Sequence, residues 1–146
     1  MNLEPIEDFS RSRVEELHGL LTGFSGWEHR ELADVERAVE HSDLVVGLVD
    51  VETDTLVAAA RVLTDRTYYA KIYDVIVSDD HRRQGIGKRL ISEVVEHPAV
   101  ANVSVQQLAC RDGLVPFYRQ LEFEPVDTVA TVNGDAERFR VLQRSP

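Results

Sequence analysis

Three apolar runs in close succession constrain the fold of this chain more than any other feature of its sequence. The runs Leu44–Val49, Leu56–Leu63 and Ala70–Val77 are rich in valine, and the polar segments Asp50–Thr55 and Thr64–Thr67 separate them. Apolar runs of this length between turn-forming residues favour strands, and connections this short join antiparallel neighbours. The sequence therefore predicts an antiparallel meander.

Apolar residues at helical spacing flank this meander on both sides. Before it, Ser10 or Ser12 can cap a helix that ends at Gly23, and a second helix is predicted over Glu31–His41. After it, helical spacing continues until Pro98 and completes a strand, turn and helix unit. The apolar positions of that last helix are Ile86, Leu90, Ile91, Val94 and Val95.

The last third of the chain combines strands with one short helix. A strand is predicted over Val103–Ala109, and Asp112 can cap a short helix after it. Strands over Val126–Val132 and Arg138–Leu142 flank the turn dipeptide Asn133–Gly134. The short helix is predicted to place four apolar residues on one face, namely Leu114, Phe117, Tyr118 and Leu121.

The charge of the chain limits its partners. Twenty-six acidic residues stand against 14 arginines and two lysines, which gives a net charge of −10. A nucleic acid or an anionic membrane would need an extended basic face, so neither is an expected partner. Many carboxylates with scarce lysine favour adaptation to high salt, which would screen the self-repulsion of the chain; the alternative is an ordinary acidic protein.

Cysteine and histidine are too sparse for several kinds of site. The single Cys110 excludes an internal disulfide, and five scattered histidines form no metal set, so no metal is predicted. The segment Met1–Ser10 has three acidic residues and no basic one, unlike a targeting peptide, so we expect a cytoplasmic protein. No repeat or linker interrupts the chain, and residues 1–146 are predicted to form one domain.

One segment reverses the sign of this acidic chain. Four cations, Arg82, Arg83, Lys88 and Arg89, lie within His81–Ser92, which has no carboxylate. Cations in the first turn of a helix oppose its dipole, and this placement makes best sense if the helix start also binds an anion.

The glycines of this segment indicate which kind of anion. Gly85 and Gly87 allow close approach of the backbone, and the amides of Gln84–Lys88 can converge on phosphate oxygens. The alternative is an ordinary helix start with solvated arginines. The pattern of nucleotide triphosphatases does not match, and Leu90 stands where the dinucleotide fingerprint needs a third glycine.

The residues Arg82–Gly87, R-R-Q-G-I-G, resemble the RxxGxG form of the acyl-CoA signature of the GNAT superfamily of N-acetyltransferases. Tyr73–Val77 is similar to the fourth strand of that family, and Val115–Phe123 resembles its FYxxLGF element. The similarity spans about residues 27–125, and from Trp27 onward it is greatest to the branch that includes plant-type serotonin N-acetyltransferases.

This resemblance implies an α+β protein with three layers, α/β/α, around a mixed, mostly antiparallel sheet. A bulge in the fourth strand would splay it from the fifth, and acetyl-CoA, the acetyl donor, would bind in the gap. By similarity, the backbone of Val75, Ile76 and Val77 would pair with the pantetheine arm. The pyrophosphate would be held by Arg82, Arg83, Gln84, Gly85, Ile86, Gly87 and Lys88.

One catalytic candidate follows from the same resemblance, and a second follows from the residues themselves. Tyr118 would donate a proton to the departing CoA thiolate; the alternative is a core tyrosine. Asp74 interrupts an apolar strand and is either a general base for the amine or a structural hydrogen-bond acceptor. Glu122 replaces the usual glycine, and Arg111 with Asp112 replaces an asparagine, which would affect a turn and the pantetheine contacts.

The sequence therefore predicts an acetyl-CoA-dependent N-acetyltransferase in which a small primary amine attacks the thioester directly. Trp27, His29, Tyr68 and Tyr69 lie in loops that would wall the acceptor pocket of such a fold. The alternatives are an acyl-CoA-binding module without catalysis and an acetyltransferase for proteins or peptides. A homodimer is also expected, because exposed edges of such sheets often pair.

Overall fold

A computed structural model of the chain describes the backbone of residues 1–132 and 137–146 and the side chains of residues 1–126 and 140–146. The helices are α1 (Arg11–Thr22), α2 (Leu32–His41), α3 (Ile86–Glu96) and α4 (Val115–Arg119). The strands are β1 (Leu3–Ile6), β2 (Leu44–Asp50), β3 (Thr55–Thr64), β4 (Tyr69–Val77), β5 (Val105–Arg111), β6 (Glu124–Val132) and β7 (Glu137–Arg144). The predicted turn at Asn133–Gly134 lies outside the described residues.

Within the described residues, the seven strands form one sheet in the order β1-β2-β3-β4-β5-β7-β6. The pairing of β4 with β5 is parallel, and every other pairing is antiparallel. The antiparallel meander predicted from the three apolar runs is confirmed as β2, β3 and β4. The parallel pair needs a crossover, and α3 supplies it.

Helices cover both faces of the sheet. Helix α3 and helix α4 cover one face, where the core includes Leu90, Ile91 and Phe123. Helices α1 and α2 cover the other face through Leu17 and Val35. The predicted three-layer α+β architecture is confirmed, and the site lies where β4 and β5 end between these layers.

The local signals at the start and end of α1 act as expected. The Ser10 side chain accepts a hydrogen bond from the backbone nitrogen of Arg13 at 3.3 Å, and Gly23 follows the last helical residue. Among the described residues, no helix is both long and apolar enough to cross a membrane.

Three local predictions are wrong. Strand β5 begins at Val105, because the nitrogen of Val103 donates to Val100 in the turn after α3. Asp112 caps no helix: α4 begins three residues later, and the Asp112 carboxylate lies 3.6 Å from the guanidinium of Arg140. Leu114 is 45% exposed rather than part of the buried face.

Candidate active site

A bulge in β4 opens the sheet beside β5. The parallel pairing of β4 with β5 ends at Ile72 and Leu108, although β4 continues to Val77. On its other edge, β4 pairs with β3 at Tyr73 and again at Ile76. Two residues of β4, Asp74 and Val75, lie between these pairs, whereas β3 has one residue there, so β4 contains a bulge. The edge of β4 toward β5 therefore has no strand partner beyond Ile72 among the described residues.

The turn before α3 lies at the end of this gap. Gly85 precedes the helix with φ of 77°, a left-handed conformation that glycine adopts without strain. Gly87 follows in the first turn of α3, and a Cβ there would lie 3.4 Å from the Phe117 ring, in van der Waals contact with it. The two glycines thus keep the backbone of the turn accessible, as an anion site at a helix start requires.

The cations of this turn are available for an anion. Among the described residues, Arg83 and Lys88 have no carboxylate within salt-bridge distance, and Arg82 pairs with the exposed Asp79 at 3.0 Å. An exposed pair of this kind contributes little stability, so Arg82 can exchange Asp79 for a phosphate at small cost.

The gap between β4 and β5 and the turn before α3 form one cleft of about 760 Å³. Most of the predicted site residues line it, namely Val75, Ile76, Val77, Arg82, Arg83, Gly85, Ile86, Gly87, Lys88 and Tyr118. Gln84 and Asp74 do not line it. The lining also includes Phe24, His81, Arg111 and Phe117. An extended chain with a phosphorylated end fits a cleft that is apolar between the strands and cationic at the turn.

Tyr118 lies near the C-terminal end of α4 and is buried, with only 4% of its surface exposed. Its ring makes edge contacts with Phe117 and Phe123 at centroid distances of 5.0 and 6.0 Å. Burial raises its pKa above the usual range of a phenol, so the hydroxyl stays protonated at neutral pH. That hydroxyl makes no hydrogen bond with the described residues and can donate its proton to a ligand in the cleft.

Cys110 is no nucleophile in this arrangement. Its thiol is buried beneath the same cleft, and burial and the nearby Asp112 carboxylate raise its pKa to about 11. A reactive cysteine needs a lowered pKa and an adjacent base.

Asp74 points away from the cleft into a cluster of arginines. Its carboxylate accepts two hydrogen bonds from Arg30, at 2.9 and 3.1 Å, and one from Nε of Arg61 at 2.8 Å. Burial opposes ionisation, but the hydrogen bonds and charges of the two arginines outweigh it and hold the pKa below its usual value. The contacts favour the structural alternative for Asp74, since an anion that two guanidinium groups stabilise is a weak base.

The loop between α1 and α2 is attached to both sides of the gap. Arg30 connects it to the bulge of β4, and Arg111 at the end of β5 donates to the carbonyl of Ser25 at 3.0 Å. The Arg111 guanidinium also lies over the Phe24 ring at 4.4 Å. The loop residues 24–30 therefore lie across the gap.

The structure accommodates both departures from the family pattern, at Arg111 and at Glu122. Arg111 holds the loop as described, and Glu122 adopts a left-handed conformation with φ of 70°, which glycine adopts without strain. Its carboxylate pairs with Arg144 at 2.9 Å. Neither departure closes the cleft.

Of the loop aromatics, Trp27 packs under the Arg30 guanidinium at 4.4 Å, whereas Tyr68 and Tyr69 are 62% and 61% exposed. Arg30 and Arg61 were missed by sequence reasoning. A signal existed for Arg61, because it is the single charge of β3 and Asp74 is the single carboxylate of the neighbouring β4, which favours an ion pair between them.

A sheet that splays around an apolar cleft, a cationic glycine turn and a buried phenol are the features expected of a protein of the acyl-CoA-binding class. The profile described as "Acetyltransferase (GNAT) family" matches residues 9–123. The chain therefore belongs to the GNAT family of acetyltransferases, for which acetyl-CoA is the acetyl donor.

Individual relatives agree with this assignment. The chain is 30% identical to "Uncharacterized N-acetyltransferase ycf52" of Porphyra purpurea over 67% of this chain and 58% of that protein. It is also 30% identical to "Histone acetyltransferase TAP1" of Glycine max, over 68% of this chain and 47% of that protein. The chain thus spans about half the length of these curated relatives.

A solved structure extends the agreement to the whole fold. The aminoglycoside 6'-N-acetyltransferase complexed with coenzyme A superposes with a TM-score of 0.80, over 99% of this chain and 97% of that one. The sequence identity is 17%, so this match shows the fold alone.

Proposed function

We propose that this chain transfers the acetyl group of acetyl-CoA to a small primary amine by direct attack. The observation that carries the proposal is the cleft, which joins an unpaired strand edge, a cationic glycine turn and a buried phenol. Residues 75–77 would pair with the pantetheine arm through their backbone, and the turn at residues 82–88 would bind the phosphates. Gln84, which lies off the cleft, would contribute through its backbone alone.

The proposed chemistry balances as follows. The amine nitrogen bonds to the thioester carbonyl carbon, the carbon–sulfur bond breaks, and the thiolate takes the proton of the Tyr118 hydroxyl. The amine loses its proton to solvent, and solvent then reprotonates Tyr118. Burial raises the pKa of the phenol, and it also raises the pKa of the CoA thiol beside it. The proton transfer from phenol to thiolate therefore stays feasible.

The role of Asp74 as a base stays a prediction that its contacts disfavour. If it were the base, Asp74→Asn would remove the acidic limb of the pH profile of kcat/KM. If its role is structural, the variant keeps that limb and loses stability.

The test is acceptor-dependent release of CoA thiol in molar KCl, with arylalkylamines, polyamines, amino acids, aminoglycosides and short peptides as acceptors. We expect turnover with one class of amine and a kcat about 100-fold lower in Tyr118→Phe, the usual contribution of a general acid. Binding of acetyl-CoA, measured by calorimetry without an acceptor, should change less than about twofold, because the phenol transfers its proton only when the thiolate leaves. Equal losses in binding and turnover would contradict the acid role.

Two alternatives remain separable in this assay. A binding module would bind CoA and release no thiol with any acceptor. An acceptor that is a protein is favoured by the name of the soybean relative, and it would show as turnover with peptides alone. The homodimer and the cytoplasmic location also stay predictions, and solution scattering tests the first.

A further inference from the structure

We propose that Arg30 is a positioning residue for the acceptor amine: through Asp74 it fixes the loop at residues 24–30 against the bulge of β4. This inference rests on the proposed function. It assigns the carboxylate to the geometry of the acceptor entrance rather than to proton transfer.

The ion pair has the geometry of a rigid connection. Arg30 binds Asp74 through two parallel hydrogen bonds, a bidentate arrangement that fixes orientation as well as distance. The Asp74 side chain is only 8% exposed, so water does not compete strongly for it. Loss of Arg30 would leave a buried carboxylate with Arg61 as its remaining charged partner.

Arg30 is itself held in place before any ligand binds. The carbonyl oxygen of Arg30 lies 2.8 Å from the ring nitrogen Nε2 of His18 in α1, and the Arg30 guanidinium lies over the Trp27 ring. Its backbone and its side chain are therefore anchored to two different parts of the molecule. A residue restrained in this way transmits position from helix α1 to strand β4.

The loop that Arg30 ends lies across the gap. Arg111 holds its beginning to β5 at Ser25, and Arg30 holds its end to β4. Phe24 of the same loop lines the cleft. An amine that approaches the thioester from the face of α1 and α2 must pass this loop. The ion pair lies at the end of the loop away from Phe24, so it sets the shape of that entrance rather than the lining of the cofactor cleft.

Arg61 provides a matched control. It binds the same carboxylate, but from β3, and among the described residues it makes no hydrogen bond or ion pair with the loop at residues 24–30. Arg30→Gln and Arg61→Gln each remove one guanidinium from Asp74, yet only the first releases the loop. Arg30→Lys keeps the charge and loses the bidentate geometry.

We would measure acceptor KM, kcat and the Kd of CoA for these variants, with hydrogen exchange of the amides of residues 24–30. In Arg30→Gln we expect acceptor KM to rise about tenfold and loop exchange to speed up, while the Kd of CoA changes less than about twofold. Arg30→Lys should recover part of the loss, and Arg61→Gln should leave loop exchange near that of the parent.

Two results would overturn the inference. One is loop exchange in Arg30→Gln that matches the parent, and the other is an equal rise of acceptor KM in Arg30→Gln and Arg61→Gln. Absence of turnover by the parent protein with CoA binding intact would instead overturn the proposed function, and the exchange measurement would still decide whether Arg30 holds the loop.

Discussion

Left-handed acidic residues recur in this chain, and each lies against an arginine. Asp54, Asp74 and Glu122 have φ of 52°, 53° and 70°. A side chain with a Cβ pays roughly 1–2 kcal/mol for this conformation. Arg13 pairs with Asp54, Arg30 and Arg61 with Asp74, and Arg144 with Glu122. In each case the arginine fixes the acidic side chain, in a turn for Asp54 and Glu122 and in the bulge of β4 for Asp74.

At the same scale, the buried phenol of Tyr118 predicts a loss of stability in alkali. Its pKa is raised in the folded state from an ordinary value of 10.0, chiefly by burial. A raised pKa gives a contribution that is complete below the unfolded value and is lost as the pH rises toward the folded value. Above pH 10 the parent protein should lose up to about 1.4 kcal/mol more per pH unit than Tyr118→Phe.

Chemical unfolding of both proteins from pH 8 to pH 11 measures this difference. Exposed tyrosines and the Cys110 thiol are common to both proteins, so the comparison isolates Tyr118. Parallel curves above pH 10 would show that the phenol ionises as readily in the folded chain as in the unfolded one.

At the scale of single elements, two glycines should respond to alanine in opposite directions. Gly19 lies on the exposed side of α1, and a Cβ there would meet nothing within 4 Å. Gly47 lies inside β2, where a Cβ would lie 2.8 Å from the Phe9 ring and 2.9 Å from Leu56. Gly19→Ala should stabilise by about 0.5–1 kcal/mol, and Gly47→Ala should destabilise by about 1–3 kcal/mol.

Thermal unfolding of the two variants gives the signs directly, since each kcal/mol moves the Tm by roughly 2–4 °C in a chain of this size. Each variant is the control of the other, because the chemical change is identical. A Tm that falls in both would mean that the close approach at Gly47 is not the cause.

Elements with strong local signals were predictable from the sequence. The apolar runs of β2, β3 and β4, the serine before α1 and the proline after α3 each act within a few residues. The start of β5 was misplaced because Val103 has the same apolar character as the strand. Val103 is excluded because its nitrogen donates to Val100 in the turn after α3, and its apolar character does not reveal that choice of partner.

The site also contains residues that the sequence predicts and residues that it does not. The glycine turn and Tyr118 are motifs, and their positions in the cleft followed from the family resemblance. The partners of Asp74 could not be read from local pattern, because Arg30 lies 44 residues away in a loop without regular spacing. A charge in an apolar strand shows that a partner is needed, but only the packing of α1 against the sheet identifies it.

For the whole molecule, the distribution of cations matters more than the total charge. Most described arginines pair with carboxylates on the surface or at the bulge, as the net charge of −10 would favour. Arg83 and Lys88, beside the cleft, are exceptions among the described residues. Arg83 and Lys88 therefore leave positive charge beside the cleft of a chain whose net charge is negative, and we predict that an anion binds there.

This distribution predicts opposite effects of salt on stability and on CoA binding. Raising KCl from 0.1 to 2 M shortens the screening length from about 10 Å to below about 3 Å. Weaker self-repulsion should raise the Tm by about 5 °C or more, while screening of the phosphate contacts should raise the Kd of CoA several-fold. Sucrose at matched osmolality is the control: as an excluded solute it should raise the Tm and leave the Kd near its low-salt value. A Tm independent of KCl would contradict the adaptation to high salt, and a Kd independent of KCl would mean that the cations of the turn at residues 82–88 do not contact the phosphates.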